Sequence, residues 1–414
     1  MKRLALAIMM LTTQICQAQK IQGSWSGVLN VGPQKLNIIL HISHDDNGND
    51  VCTMDSPDQG AKGIPAIINH LSADSVSISI PQISMKYEGK LDDNIIKGQF
   101  SQGGVKLPLE FKAGIEEKKR PQTPLAPYPY ETEEACFTNT AAEAVLAGTV
   151  TYPVGYKEGQ RPPVVLLISG SGQQNRDEEI FEHKPFLVIA DYLARHGIAT
   201  LRYDDRGTAQ STGDRSQATT KDYADDAAAG IEWLKNKNTF DKIGILGHSE
   251  GSSIAFMLGA QGKADFVISL AGIGVKGDSA LTAQVNRINE LSGNAVNITI
   301  EQYRENIARL NNSWLNFFID YDPTSDIRST SCPVMAINGT KDVQVIAAIN
   351  LPSIQATLPN NGKNLIKEYP NLNHMFQSCT TGMVDEYSTI EETINPNVLK
   401  DIAEWIGEIT PIQN

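Results

Sequence analysis

The strongest constraint on the fold is a rhythm of short apolar runs in the second part of the chain. Five runs are mostly apolar, namely 164–168, 198–203, 242–246, 266–270 and 333–337, and the more polar stretch 364–369 is a sixth strand candidate. Stretches of helical character lie between several of them: 185–196, 221–237 and 252–258. Short continuous apolar runs are typical of strands buried on both faces of a parallel sheet. The alternation with helices predicts an α/β unit over 131–414, with a doubly wound, mostly parallel sheet.

One segment of this region departs from the rhythm. Between about 274 and 326, the stretches 281–291 and 301–318 have helical character and no run reads as a buried strand. We therefore expect an inserted helical cap over an edge of the sheet. Its aromatic residues, Trp314, Phe317 and Phe318, could line a substrate pocket, although their spacing also fits the packing face of an amphipathic helix.

The first part of the chain has strand-like periodicity instead. Residues 75–80 alternate Ser with Val or Ile, as a half-buried strand does. Further strand candidates are 36–42, 85–91, 95–101 and 105–111. We expect a small all-β domain, a barrel or a sandwich, over 19–115. The charged and proline-rich stretch 116–130 predicts a stiff linker.

The amino terminus has the pattern of an export signal. Lys2 and Arg3 precede an apolar run over 4–11, and small residues follow near Ala18. This run is shorter than the roughly 20 residues that cross a bilayer, and no later segment reaches that length. We expect cleavage after Ala18 and a secreted or periplasmic protein. Cys16 does not fit a lipoprotein signal, because the bulky Ile15 precedes it.

Composition argues against several kinds of partner. The 414 residues include 35 Lys and Arg against 48 Asp and Glu, a formal net charge of −13, which argues against nucleic acid or an anionic membrane. Five Cys are too few for a disulfide scaffold, although the four after the signal could pair in an oxidising compartment. The acidic turn 45–50 lacks the pattern of a calcium loop. The spacing of His41, His44 and His70 matches no metal site. No metal or cofactor is predicted.

The sharpest chemical signal is Gly247-His248-Ser249-Glu250-Gly251. It directly follows the predicted strand 242–246 and precedes the predicted helix 252–258. This is the context of the G-x-S-x-G turn, which presents a serine at the end of a strand. A serine hydroxyl becomes a good nucleophile only when a base takes its proton. We predict Ser249 as the nucleophile and expect the His248 side chain to point away from it.

Chain order selects the partners of Ser249. In this arrangement an acid and then a histidine follow the serine, and His374 is the only one of the seven histidines beyond His248. The acid is expected at the end of the strand before the one that leads to His374, which is where Asp342 lies. Asp326 and Glu368 are less well placed. Asp342 would orient the imidazole and stabilise its charged form.

Acyl transfer also needs two N–H donors for the developing oxyanion. One is expected from the backbone of Glu250, directly after the nucleophile. The second is expected from the glycine-containing loop 169–173, with Ser171 as the first choice and Gly172 as the second. This loop lacks the glycine spacing and the lysine of phosphate-binding loops.

Three motifs together resemble the α/β-hydrolase superfamily. They are Gly-Ser-Gly-Gln-Gln-Asn-Arg-Asp over 170–177, Arg-Tyr-Asp-Asp-Arg-Gly over 202–207, and the turn 247–251. They look like a bacterial branch of esterases and serine-aminopeptidase-like hydrolases, some of which carry an N-terminal β domain. The resemblance implies hydrolysis of small-molecule carboxylic esters by a Ser-Asp-His triad without a cofactor. Ser169 departs from the usual histidine, and Ala209-Gln210 stands where glycine is common.

Two alternatives remain open. A peptidase that releases N-terminal residues would need an acid to bind the substrate ammonium, and Glu250 or the pair Asp204-Asp205 could provide it. A non-catalytic protein whose β domain binds a glycan or a partner is the other alternative, and the complete triad argues against it.

Overall fold

The computed structural model describes residues 21–32, 34–59, 61–115, 119–294 and 296–411. The predicted signal segment, 1–18, lies outside the described residues, as do residues 116–118 of the predicted linker. The chain divides into two compact units, Met1–Glu117 and Lys118–Asn414.

The first unit is a closed barrel of eight antiparallel strands. Each strand pairs with the next along the chain, and β1 also pairs with β8 through Ser26 and Lys112, which closes the sheet. The strands are β1 (Gly23–Val31), β2 (Gln34–His44), β3 (Asp50–Ser56), β4 (Ala61–Leu71), β5 (Ser75–Ile80), β6 (Met85–Asp92), β7 (Ile95–Gln102) and β8 (Val105–Ala113). The prediction of an all-β domain is confirmed, and of its two forms the barrel is observed.

Apolar side chains fill the interior of the barrel. Tyr87 packs edge-to-face on Phe111, with ring centroids 5.0 Å apart, and its hydroxyl donates to the backbone carbonyl of Leu109. The histidines of this unit lie on strands: His41 bonds with Asp55 at 3.0 Å. Among the described residues, no group of three or more His, Cys, Asp and Glu side chains is arranged to hold a metal ion.

The second unit is built on an eight-stranded sheet with the order β16-β15-β14-β13-β11-β12-β10-β9. The strands are β9 (Thr132–Asn139), β10 (Ala144–Thr151), β11 (Val164–Ile168), β12 (Ala199–Tyr203), β13 (Ile243–His248), β14 (Phe266–Leu270), β15 (Val334–Gly339) and β16 (Leu365–Tyr369). Strands β11 to β16 are parallel, whereas β9 and β10 are antiparallel.

Helices cover both faces of this sheet, as expected for a doubly wound fold. They are α1 (Pro185–Arg195), α2 (Thr220–Lys237), α3 (Glu250–Ala260), α4 (Gly277–Leu291), α5 (Ile300–Ile307), α6 (Ser313–Asp320), α7 (Thr324–Ser329), α8 (Ala347–Thr357), α9 (Val384–Tyr387) and α10 (Pro396–Ile409). One apolar core joins the sheet to α2, α3 and α8, and the other joins it to α1 and α10. The predicted fold class is confirmed.

Two features of this unit were not anticipated. The sequence pattern did not indicate β9 and β10, because β9 alternates exposed and buried residues and neither strand is a continuous apolar run. The single helical run expected over 301–318 is wrong: it is two helices, α5 and α6. Asn311 has a φ of +44°, and the side chain of Asn312 accepts a hydrogen bond from the Leu315 N–H, so a new helix begins there.

The sheet topology brings several loops to one edge. From β11 the chain passes to β12 on one side and, after α2, to β13 on the other side. Loops that follow parallel strands lie at the same edge, and ligands of open α/β sheets bind beside such a reversal of strand order. The residues after β11, β13, β15 and β16 therefore meet at the edge where a site is expected.

Two further findings bear on the expectations from sequence. Within the described ranges, no helix combines the length and the apolar character needed to cross a membrane. Cys52, Cys136, Cys332 and Cys379, which lie in the described part of the chain, are all free thiols.

Candidate active site

The turn between β13 and α3 holds Ser249 in an unusual backbone conformation. Its φ is +53° and its ψ is −116°, a combination that costs L-residues of order 1–3 kcal/mol. The Ser249 N–H donates to the carbonyl of Leu270 at 2.8 Å, which helps to hold the turn. Ser249 remains partly exposed, while His248 and Glu250 on either side of it are buried. The turn thus presents the serine at the carboxyl edge of the sheet.

Both glycines of the motif are required by close approach. A Cβ on Gly247 would lie 2.0 Å from the carbonyl oxygen of Gly251. A Cβ on Gly251 would lie 2.1 Å from the carbonyl oxygen of Ile168, at the end of β11. Neither glycine has a positive φ, so their role is to let helix α3 start directly against two strand ends.

The predicted base and acid are hydrogen-bonded to each other. His374 Nδ1 lies 2.8 Å from Asp342 Oδ2, and both side chains are buried. The other oxygen of Asp342 accepts the backbone N–H groups of Gln344 and Val345, at 2.8 and 2.9 Å. These two hydrogen bonds hold the Asp342 carboxylate in place. The carboxylate in turn holds the Nδ1 edge of the His374 ring.

The loop after β16 that carries His374 is itself held by a buried side chain. Asn373 Oδ1 accepts the backbone N–H groups of Met375 and Gln377, at 3.0 and 2.9 Å. The ring of His374 lies 4.7 Å, centroid to centroid, from the ring of His248, the residue before Ser249. The structure thus brings the loops of Ser249, Asp342 and His374 to the same edge of the sheet.

The loop after β11 lies against the predicted nucleophile. A Cβ on Gly170 would lie 3.2 Å from Ser249 Cβ, but the Gly170 N–H already donates to Glu178 Oε1 at 2.7 Å. The predicted donors Ser171 and Gly172 follow in the same loop and are exposed, and Gly172 has a φ of +109°. Glu250 is the first residue of α3, where a helix provides no partner for the backbone N–H. Their role toward an oxyanion stays a prediction.

Glu178 is a buried residue of this site that the sequence pattern did not reveal. It is 4% exposed, and its Oε1 atom lies 2.8 Å from His248 Nδ1. His248 Nε2 lies 3.0 Å from the backbone oxygen of His374. Burial opposes protonation of this ring, but the charge of Glu178 and the hydrogen bonds to Glu178 and His374 raise the pKa of His248 above its usual value. No periodicity marks Glu178; only its place in the 170–177 neighbourhood hints at it.

The helical cap contacts Glu250, the residue that follows Ser249. The indole N–H of Trp314, on α6, donates to Glu250 Oε1 at 2.6 Å, and the Thr220 hydroxyl donates to the same oxygen at 2.6 Å. Burial raises the pKa of Glu250, and these two hydrogen bonds oppose the rise. Trp314 also stacks on Phe318, whereas Phe317 stacks on Tyr321.

The acids considered as ammonium-binding groups all have partners within the unit. Glu250 is bound by Thr220 and Trp314. Asp204 forms an ion pair with Arg176 at 2.8 Å. Asp205 accepts the Ser169 hydroxyl at 3.0 Å and the Gln174 N–H at 3.1 Å, and burial raises its pKa to about 8. A substrate ammonium would have to compete with these contacts.

Comparisons with known proteins agree with the fold. Residues 183–374 match the family described as serine aminopeptidase, S33. The chain is 26% identical over 279 residues to Esterase EstD of Thermotoga maritima, which covers 63% of this chain and 65% of the esterase. It is 27% identical over 118 residues to an acyl transferase of Photobacterium leiognathi, which covers 28% of this chain and 35% of the transferase. The chain thus spans less than two thirds of the length of either relative.

A solved structure of a Mycobacterium tuberculosis puromycin-hydrolyzing peptidase has a similar fold. The TM-score is 0.50 at 12% sequence identity, and the match covers 90% of this chain and 54% of that chain. The sheet order, the strained serine turn and the His-Asp pair define an α/β-hydrolase fold with a cap. The chain is thus similar to esterases and serine-aminopeptidase-like hydrolases, and its second unit has their fold.

Proposed function

We propose that this protein hydrolyses carboxylic esters of small molecules through an acyl-enzyme on Ser249. The observation that carries the proposal is the buried 2.8 Å hydrogen bond between His374 and Asp342, on loops at the same edge as Ser249. His374 takes the serine proton as Ser249 attacks the ester carbonyl and returns it to the leaving alcohol. Asp342 stabilises the imidazolium that forms between these steps. Water then releases the acid from the acyl-enzyme by the reverse proton transfers.

The oxyanion of each tetrahedral intermediate would be held by the Glu250 N–H and by an N–H of Ser171 or Gly172. One source is at the start of α3, directly after Ser249, and the other is in the loop after β11, whose Gly170 lies against Ser249. The similarity to Esterase EstD supports an ester as substrate.

The test compares short-chain nitrophenyl esters with aminoacyl-nitroanilides, using the wild type and Ser249→Ala. We expect ester turnover by the wild type and a loss of about 10³-fold or more in kcat for Ser249→Ala. Ser216→Ala, which changes an exposed serine, is the matched control and should leave kcat unchanged. A covalent phosphonate adduct should appear on the peptide that contains Ser249. Ester turnover that survives Ser249→Ala would refute the mechanism.

The same assay separates the second candidate, a peptidase, which the match to the serine aminopeptidase family favours. Turnover of anilides without turnover of esters would support it. The occupied carboxylates of Glu250, Asp204 and Asp205 argue against ammonium binding by these residues. Retained glycan binding without turnover of either substrate would instead favour the non-catalytic alternative.

We propose that the protein is exported and that its signal is cleaved after Ala18. The basic start, the short apolar run and the small residues near position 18 support this proposal. Expression in a bacterial host followed by N-terminal sequencing of the periplasmic fraction should give a chain that begins at Gln19. Recovery of the uncleaved chain in the cytoplasm alone would contradict it.

A further inference from the structure

A buried hydrogen-bonded chain connects two loops of the site. It runs from the Gly170 N–H to Glu178, from Glu178 to the His248 ring, and from that ring to the backbone oxygen of His374. Glu178, His248 and His374 are 4%, 5% and 3% exposed. The proposed ester hydrolysis gives no chemical step to Glu178 or to the side chain of His248. Buried charged groups are costly, so their presence calls for a role.

The contacts of His248 decide its protonation state. A backbone carbonyl only accepts hydrogen bonds, so the Nε2 atom that faces His374 O must carry a proton. The Glu178 Oε1 atom that faces Nδ1 also accepts the Gly170 N–H, which favours an ionised carboxylate. Nδ1 must then carry a proton as well. A ring with both nitrogens protonated is an imidazolium.

We infer that Glu178 and His248 are positioning residues, which together join the glycine loop after β11 to the loop that carries His374. The inference rests on the proposed function of Ser249 and His374. Glu178 holds His248 in its charged form. The charged ring uses one N–H to anchor Glu178 and the other to fix the backbone of His374. A change in either residue therefore moves the base and the oxyanion loop relative to Ser249.

The His248 ring also lies close to the His374 ring, with the ring centroids 4.7 Å apart. The titratable groups that face His248 are Glu178 from the loop after β11, Asp342 from the loop after β15 and His374 from the loop after β16. Asp205 acts on the network from the end of β12, through Glu178. The His248 ring thus contacts groups from three loops, which fits a positioning role.

The first test reads the ring directly. The protein labelled with ¹⁵N-histidine is examined by NMR at pH 7.5, as the wild type, as His248→Gln and as Glu178→Gln. In the wild type we expect the signals of a histidine with two protonated ring nitrogens. These signals should disappear in His248→Gln. In Glu178→Gln the same histidine should show only one protonated nitrogen. If the His248 signals show a single protonated nitrogen, the inference is overturned, whatever the enzyme hydrolyses.

The second test is kinetic and uses the nitrophenyl ester that the wild type turns over. Glu178→Gln and His248→Gln should each lower kcat by about 10- to 100-fold and leave KM within about threefold. His196→Gln, which changes an exposed histidine after α1, should alter neither value.

Two outcomes would overturn the positioning role. One is an unchanged kcat in both variants. The other is a lower fraction of titratable active sites with an unchanged kcat per active site, since that marks a loss of folded protein only. Failure of the proposed function gives a different result, because ester turnover then survives Ser249→Ala. The protonation of His248 seen by NMR does not depend on that assay.

Discussion

Ser249 and Ala209 both adopt a positive φ, +53° and +47°, which side chains with a Cβ disfavour. Each is held by specific contacts. The Ser249 N–H bonds to Leu270, and the Gln210 N–H that follows Ala209 bonds to Asp204. Ala209 explains the departure from glycine in the motif after β12, since the turn is retained with a strained alanine. At the scale of single residues, the unit thus stores strain where the surrounding bonds over-determine the backbone.

The role of Asp342 can be tested by a change that preserves its shape. Asp342→Asn keeps the size of the side chain but replaces the carboxylate that faces His374 Nδ1 with an amide, which favours the wrong tautomer and leaves the imidazolium unbalanced. We expect kcat for esters to fall by about 10³- to 10⁴-fold. Steady-state kinetics measure the loss. The control is Glu368→Gln, which changes an exposed residue of β16 and should alter kcat little. A larger loss in the control would assign the acid to Glu368.

Helix α3 is placed by contacts that leave no room for side-chain atoms at its first turn. Gly251→Ala would force a Cβ to within 2.1 Å of the Ile168 carbonyl oxygen, so either α3 or the end of β11 must move. We expect a loss of roughly 3–5 kcal/mol in the free energy of unfolding, or failure to fold.

The matched control for this change is Gly407→Ala in α10, where a Cβ meets nothing within 4 Å. Here the alanine should raise the free energy of unfolding by about 0.5–1 kcal/mol, because glycine is a poor helix former. Thermal or urea unfolding of both variants checks the pair. Equal effects at the two positions would show that backbone clash does not control the turn.

The cap is connected to the site through α6. Trp314→Phe keeps an aromatic ring to stack on Phe318 but removes the N–H that donates to Glu250. We expect kcat/KM for esters to fall about 3- to 10-fold, since a hydrogen bond to a carboxylate next to Ser249 is lost. Trp233→Phe, on α2, provides a control in which no such bond is removed. If both variants keep the wild-type kcat/KM, the contact between α6 and Glu250 has no role in turnover.

At the scale of the whole molecule, the residues proposed for catalysis all lie in the second unit, Lys118–Asn414, and so do their hydrogen-bond partners. The barrel unit contributes none of them. Arg120 and Gln122, which follow the boundary, bond to backbone carbonyls of the second unit, including those of Ser388 and Ile394. The part of the predicted linker from residue 119 therefore packs as part of that unit.

The stability of the second unit should fall as the pH rises from about 4 to 8. Burial raises the pKa of Asp205 to about 8, whereas an unfolded Asp titrates near 4. In this window the folded state binds a proton that the unfolded state has lost, so the free energy of unfolding decreases, by at most about 1.4 kcal/mol per pH unit. Asp205→Asn should remove this slope.

Urea unfolding at several pH values, followed by tryptophan fluorescence, measures the effect, because three of the four tryptophans lie in this unit: Trp233, Trp314 and Trp405. Asp204→Asn is the contrasting variant. The pKa of Asp204 is lowered, because the hydrogen bonds and charge of Arg176 outweigh its burial, so its contribution is lost as the pH falls. An identical slope for wild type and Asp205→Asn would contradict the assignment.

Local sequence patterns predict much of the fold of this protein. Apolar runs such as 164–168 predict strands because most side chains of a strand buried on both faces are apolar. The turn around Ser249 is recognisable because only glycine fits at positions 247 and 251. His374 followed from chain order alone. Strands β9 and β10 and the break between α5 and α6 were not predicted, since β9 is half-exposed, β10 is not a continuous apolar run and a helix cap is a weak signal.

Only the tertiary structure decided which residues meet. The 2.8 Å contact of His374 with Asp342 and the link of Glu178 to His248 join positions 32 and 70 residues apart. The barrel closes because β1 meets β8, and Trp314 reaches Glu250 from 64 residues away. Local sequence sets which conformations a segment prefers, but burial of charged and polar groups is settled by partners that arrive from distant segments, so such pairs emerge only when the chain is folded.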